Sequence, residues 1–283
     1  MRFSASIAVV LGFGLMGCNP EEPIPAYVHI QEIQLDVRSD EGTADHKIVD
    51  AWFYLSGANG GLQGAYELPA SFPVLETGER EVLVRAGVQM SGLSTVRIAY
   101  PFYDFYVDTV NFTPNGDITL APRVRYYEGL EFPWMDNFED PGLSLETTSF
   151  SDTTLVRITD DRVFEGNGCM AFFLDTARSF FECATTNLYP LPAGADEYVF
   201  LELNYKTNNQ FVVGIYAETP SEIRQIESVY VLPREEWNKM YINLSNQVSQ
   251  VPDAVGYRIF FGAIKQSDVD TAEVYIDNIK LIY

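Results

Sequence analysis

The chain has 283 residues, and its 40 Asp and Glu against 18 Lys and Arg give a net charge of −22. That excess repels nucleic-acid phosphates and anionic lipid headgroups alike, so neither is expected to dock on the protein surface. With 47% hydrophobic, 14% aromatic and only 20% charged residues, the composition is that of a folded protein and not of an acidic disordered tail, and the length suits more than one small core.

Arg2 and an apolar run from Ile7 to Leu15 lead into Leu15-Met16-Gly17-Cys18. A basic start, a short apolar middle and small residues at a cut define a secretory signal over residues 1–17. The run is too short to cross a bilayer core of about 30 Å as a helix. The Leu-Met-Gly-Cys quartet resembles the lipobox of bacterial lipoproteins. The resemblance implies cleavage before Cys18, acylation of its thiol (palmitate among the chains) and attachment to the outer membrane through lipid alone. Residues 18–25 then form an acidic, proline-rich tether that holds no helix. Glu21-Glu22, just behind the lipid site, is similar to surface-export signals of lipoproteins in the Bacteroidota; it implies exposure at the cell surface, the periplasmic face being the alternative.

Residues 26–127 read as a first domain. Val28, Ile30, Ile33, Leu35 and Val37 alternate as a strand with a bulge near Gln31. Further β runs are predicted at Ile48–Leu55, Glu81–Val84, Ser94–Tyr100, Phe105–Phe112 and Ile118–Leu120. Turn clusters such as Asn59-Gly60-Gly61 and Pro114-Asn115-Gly116-Asp117 separate them. Short strands with regular turns and no helical period predict an antiparallel sandwich. The run resembles immunoglobulin- or transthyretin-like accessory domains, a likeness of architecture that carries no site. Trp52 and Tyr100-Pro101-Phe102-Tyr103 are expected in the core and at its edges.

A short connector with Pro133 leads to a second domain, residues 136–283. Strands are predicted at Leu155–Ile158, Cys169–Leu174, Tyr198–Lys206, Phe211–Ala217, Ser228–Leu232, Lys239–Leu244, Tyr257–Ile264 and Glu273–Ile282. Eight strands without a helix point to a two-sheet jelly roll, so the whole chain is expected to be all-β. Cys169 and Cys183 flank a segment that reads as strand, turn, strand. A hairpin there would set them opposite one another as a disulfide in an oxidising compartment; two buried thiols are the alternative.

Asn137-Phe138-Glu139-Asp140, the Gly166-Asn167-Gly168 turn, Trp237 leading into a strand, and Val274-Tyr275-Ile276-Asp277-Asn278-Ile279 resemble jelly-roll carbohydrate-binding modules of the galactose-binding-like group. The resemblance implies a structural calcium ion held by Glu139, Asp140 and Asp277, with Glu165 reaching it through the neighbouring turn. Hard oxygens from distant strands suit that ion; the alternative is that Asp277 caps a strand while Glu139 and Asp140 face water. Sugar binding needs aromatic faces beside hydrogen-bonding groups, and Tyr205, Tyr216, Trp237, Tyr241 and Arg258 are the candidates.

No catalytic motif occurs. The two histidines, His29 and His46, lack metalloprotease spacing, and there is neither a nucleophile elbow nor a phosphate-binding glycine loop. The expectation is a non-catalytic, lipid-anchored envelope protein that captures polysaccharide through its jelly roll. The rival is a structural subunit bound to an outer-membrane barrel protein, and a hydrolase acting through unrecognised carboxylates comes third.

Overall fold

The structure, a computed structural model, describes residues 23–57, 60–194 and 196–283. Cys18 and its acidic tether through Glu22 lie outside them. The regular secondary structure of the described residues is nearly all strand. The first half contributes β1 (Ala26–Ile30), β2 (Gln34–Asp36), β3 (Asp50–Leu55), β4 (Gly61–Glu67), β5 (Ala70–Val74), β6 (Gly78–Gln89), β7 (Arg97–Ala99), β8 (Phe105–Phe112), β9 (Asp117–Leu120) and β10 (Arg123–Arg125). A five-stranded sheet, β4-β3-β6-β7 with β8 also on β6, packs against the sheet β5-β1-β9 and the pair β10-β2. Phe53, Phe72, Val82, Val84 and Phe112 fill the space between.

The alternating run predicted from Val28 to Val37 is two strands. Gln31 and Glu32 are both exposed, which breaks the period of two. The chain uses them to leave one sheet for another: β1 pairs with β5 and β9, β2 with β10.

The second half contributes β11 (Trp134–Asp136), β12 (Leu145–Thr147), β13 (Val156–Ile158), β14 (Cys169–Leu174), β15 (Phe180–Thr185), β16 (Phe200–Thr207), β17 (Phe211–Glu218), β18 (Ile223–Val231) and β19 (Arg234–Asn243). After a single-turn helix, α1 (Ser245–Ser249), come β20 (Gly256–Ile264) and β21 (Ala272–Ile282). One sheet is β13-β14-β21-β16-β19 with β11 on β21; the facing sheet is β12-β15-β20-β17-β18. Successive strands cross repeatedly between the two sheets, and every pairing is antiparallel. This is the expected jelly-roll sandwich. Its core holds Phe172 stacked on Phe181, with Leu201, Leu203, Ile215, Phe261 and Ile276 around them.

The predicted cysteine hairpin does not form, and the disulfide goes with it. β14 and β15 are consecutive but belong to opposite sheets. Cys169 faces an outer cluster with Ala171 and Tyr275, whereas Cys183 lies inside the sandwich. Both are free, buried thiols. Alternation explains the outcome: Met170, Phe172 and Leu174 take the inward positions of β14 and turn Cys169 outward.

The outer face of the β16-containing sheet is covered by the first half of the chain along β16, β19 and the end of β21. Phe200, Tyr241 and Ile282 belong to the first half's core, where Tyr100 packs edge-on against both Phe200 and Tyr241. Among these rings lies Glu202, 0% exposed. It accepts hydrogen bonds from Tyr100 Oη at 2.7 Å and from Tyr126 Oη at 3.0 Å on each oxygen. Lys239 Nζ stands 3.5 Å from it, and Lys280 Nζ donates to Tyr126 Oη at 3.0 Å. Burial lowers the Lys280 ammonium to about 8 and raises the phenols of Tyr100, Tyr103 and Tyr126. The aromatic cluster expected at core and edge is thus the seam between the two halves.

Candidate functional site

With one outer face covered, the other remains available: that of β12-β15-β20-β17-β18. Alternation decides what it presents. Phe181 and Cys183 point inward on β15, and Tyr257, Ile259 and Phe261 do so on β20. Phe180, Glu182 and Ala184, with Arg258 and Phe260, therefore point out. Register aligns Arg258 with Tyr216 across β20 and β17, and Tyr216 with Gln225 across β17 and β18. Beneath these side chains, a Cβ at Gly214 would stand 2.4 Å from both the Phe260 ring and the Ile226 carbonyl oxygen, so the ring packs against this strand only because the residue is glycine.

Phe180, Glu182, Ala184, Tyr216, Gln225 and Arg258 line a groove of about 960 Å³, rimmed by Phe150 and Ile223. A second hollow of about 410 Å³ shares Phe180, Glu182 and Gln225 with it and runs on toward Tyr230 and Gln266. Phe150 is 76% exposed and Ile223 63%, so the rim offers apolar surface to anything lying in the groove.

Glu182 organises the centre. Although only 6% exposed, it accepts from Tyr216 Oη at 2.7 Å and Thr148 Oγ1 at 3.0 Å on one oxygen, and from Gln225 Nε2 at 2.8 Å on the other. A buried carboxylate needs such donors, and in return it fixes the rotamers of all three. Burial raises the Tyr216 phenol, and the bond to Glu182 adds to the shift. Arg258 is held from both sides: its Nε lies 2.9 Å from Glu218 Oε1, and its Nη1 donates to Glu146 Oε1 at 3.4 Å.

Of the five predicted sugar-binding residues the structure brings two together, Tyr216 and Arg258. Tyr205 faces the sandwich core and Tyr241 the seam. Trp237 packs on Phe164 in the outer cluster with Cys169, on the sheet opposite to the groove. Glu182, Gln225, Phe150 and Phe180 were missed. The signal for Glu182 was present in Phe180-Phe181-Glu182-Cys183, where a carboxylate alternates with residues bound for the core.

The predicted calcium ligands fall elsewhere, around a hollow of about 670 Å³ that Glu139, Glu165 and Asn278 line together with Thr43 and Lys280. Glu139 accepts from Asn167 N at 2.7 Å, Asn167 Nδ2 at 2.9 Å and Gly168 N at 3.2 Å, and so pins the Gly166-Asn167-Gly168 turn. Asp277 is fully buried. It accepts from Asn278 N at 2.8 Å and Glu165 N at 3.3 Å, and burial, together with Glu165 and Glu139 nearby, raises it to about 7. Glu165 accepts from Thr43 Oγ1 at 2.7 Å and Asn278 Nδ2 at 3.0 Å, while Asp140 is exposed to solvent. The charge and oxygen chemistry suit a hard cation, but the placement does not. Among the described residues no group of three His, Cys, Asp or Glu is arranged to hold a metal ion, so no role is derived from one.

No protein-family model matches this chain, and no curated protein matches it in sequence. Solved structures similar to it include a CBM22-2 xylan-binding domain from Paenibacillus barcinonensis Xyn10C. The two are 14% identical with a TM-score of 0.39, covering 52% of this chain and 97% of that one. The family 11 carbohydrate-binding module of a Clostridium thermocellum cellulase gives 12% identity and a TM-score of 0.37, over 54% of this chain and 94% of its own. The K3 cleaved adhesin domain of Lys-gingipain from Porphyromonas gingivalis gives 11% identity and the same TM-score of 0.37, over 54% and 99%.

Proposed function

We propose that the groove on the β12-β15-β20-β17-β18 sheet binds a glycan, and that the protein is a lipid-anchored capture module of the cell envelope. The observation that carries the binding reading is the Glu182–Tyr216–Gln225 constellation. A buried acceptor holds neighbouring polar groups in fixed positions on an uncovered sheet face, beside the exposed ring of Phe150. Sugars are recognised by such a combination, their C–H faces on aromatic rings and their hydroxyls on preset polar groups. Preset groups need not be ordered when the ligand arrives, which lowers the cost of binding.

Binding is supported over hydrolysis by how the groove's carboxylates are occupied. Glycoside cleavage needs one carboxylic acid free to protonate the leaving oxygen. Glu182 is committed to three neighbouring side chains, and Glu146 and Glu218 flank Arg258. Lipid anchoring rests on Leu15-Met16-Gly17-Cys18 alone. The test of the binding reading is affinity electrophoresis of the purified chain through gels containing soluble polysaccharides. Retardation by at least one polymer, lost in Glu182→Ala, is the expected result; unretarded migration in all of them would overturn the reading. Incorporation of labelled palmitate, abolished by Cys18→Ala, tests the anchor separately.

A further inference from the structure

Among the described residues that line it, the groove holds one guanidinium, and two carboxylates flank it. An arginine on an open sheet face is the side chain best suited to grip the carboxylate of a uronic acid or the sulfate of a sulfated sugar, because its planar fork matches those groups in two bonds at once. Arg258 is instead held between Glu218, 2.9 Å from Nε, and Glu146, 3.4 Å from Nη1. These acids come from strands on opposite sides of β20, Glu218 from β17 and Glu146 from β12. The other acid at the centre, Glu182, has its oxygens served by neutral donors and so neutralises no part of Arg258.

The second cation near the groove is also withdrawn. Lys265 borders the shared hollow, but its ammonium donates to the backbone carbonyls of Gln266 and Val269. Exposed Glu227 adds a further negative charge along the same wall. With the whole chain at −22, the field over the groove repels anions at long range, and among the described residues that line the two hollows no cation is without an acceptor or carboxylate beside it.

We infer that Glu146 and Glu218 are specificity-determining residues: by occupying Arg258 they exclude anionic glycans and restrict the groove to uncharged or amino-bearing ones. The inference rests on the glycan-binding reading. Selection here works through what is refused as much as through what is gripped. A uronate approaching Arg258 would stand beside two carboxylates that already offset its charge.

The experiment uses matched polymers that share a backbone and differ in charge: methyl-esterified against free homogalacturonan, xylan against glucuronoxylan, and hydroxyethyl- against carboxymethyl-cellulose. The purified full chain and the double variant Glu146→Gln/Glu218→Gln are run through gels of each. The expected result is that a neutral polymer retards the native chain while its anionic counterpart binds at least about tenfold more weakly. In the double variant that gap should close or reverse, because Arg258 becomes free to take the acid. Folding of the variant is checked by its retained affinity for the neutral polymer; if it does not fold, Glu146→Gln alone, at an exposed position, takes its place, and a gap left unchanged in a folded variant would overturn the assignment to these two residues. An anionic member bound as tightly as its neutral partner by the native chain would overturn the inference and leave the glycan reading standing. Failure of every polymer to bind would overturn the glycan reading itself, and the inference with it.

Discussion

The hydroxyl of Tyr100, from the first half of the chain, donates to the carboxylate of Glu202, from the second, across 2.7 Å with neither group in contact with solvent. Glu202 stands on the outward side of β16, where an isolated sandwich would place a solvated side chain. Its burial is tolerated because Tyr126 supplies further hydroxyl bonds and Lys239 a positive charge. A buried charge with its partners in place is near neutral for stability, and it becomes costly when a partner is removed. Tyr100→Phe should therefore destabilise the protein by about 1.5–3 kcal/mol, the range for a hydrogen bond to a charged group. Urea unfolding should show this as a lower midpoint. An unchanged midpoint would mean that the seam does not contribute to stability.

A contrast between two aromatic residues separates the groove from the rest of the surface. Tyr216→Phe keeps the ring but removes the hydroxyl that Glu182 accepts at 2.7 Å. It should weaken retardation by the bound polysaccharide by about tenfold or more, the equivalent of 1.4 kcal/mol. Trp237→Ala removes a larger ring from the outer cluster on the opposite sheet and should leave glycan affinity unchanged while lowering the melting temperature. If Trp237→Ala abolishes binding and Tyr216→Phe does not, the site has been placed on the wrong face.

The thiols give a third expectation. Burial raises Cys169 to about 12 and raises Cys183 further, and only the thiolate reacts. Neither should react with a thiol reagent in the native protein, and both should react fully in denaturant without prior reduction. Reductant should leave the melting temperature unchanged. A drop on reduction, or missing thiols in denaturant, would restore the bridge.

Much of the fold was legible in the sequence, through alternation and through short apolar runs with punctuation at both ends. β8 and β14 occupy the predicted bounds, Phe105–Phe112 and Cys169–Leu174: β8 sets Asp108, Thr109 and Asn111 among apolar residues, and β14, wholly apolar, is closed by Gly168 and Asp175. β4, Gly61-Leu62-Gln63-Gly64-Ala65-Tyr66-Glu67, escaped because an edge strand with little buried surface has few apolar positions to announce it. The site was legible only in part. Tyr205, Tyr216 and Tyr241 are the same residue type on strands of similar composition. Tyr205 shares the inward side of β16 with Leu201 and Leu203, but whether Tyr216 or Tyr241 meets solvent depends on which outer sheet face the first half covers, a tertiary fact absent from any local pattern. Glu202 and Glu182 make the same point: both are acids on outward positions, one at the seam and the other in the groove.

The last expectation concerns Asp277, fully buried and raised to about 7 from an ordinary 3.8 by burial and by Glu165 and Glu139. As pH climbs from about 4 toward 7, the unfolded chain gives up this proton while the folded chain keeps it. The folded state then binds more protons, so this group makes stability fall across that window and level off above it. His46, lowered chiefly by its burial, pulls the other way, since its unfolded form holds the proton longer. The two are separated by comparing the native chain with Asp277→Asn. In chelator, the melting temperature of the variant minus that of the native chain should rise steadily between pH 4 and 7, because the variant no longer ionises there. A flat difference would mean that Asp277 titrates normally. Repeating the comparison in millimolar calcium tests the ion expected from the sequence. A cation held against Asp277 would favour its ionised form and stabilise only the folded native chain, removing the fall in the native chain and leaving the variant untouched. Identical curves with and without calcium would leave the carboxylate to its two backbone N–H donors and retire the ion.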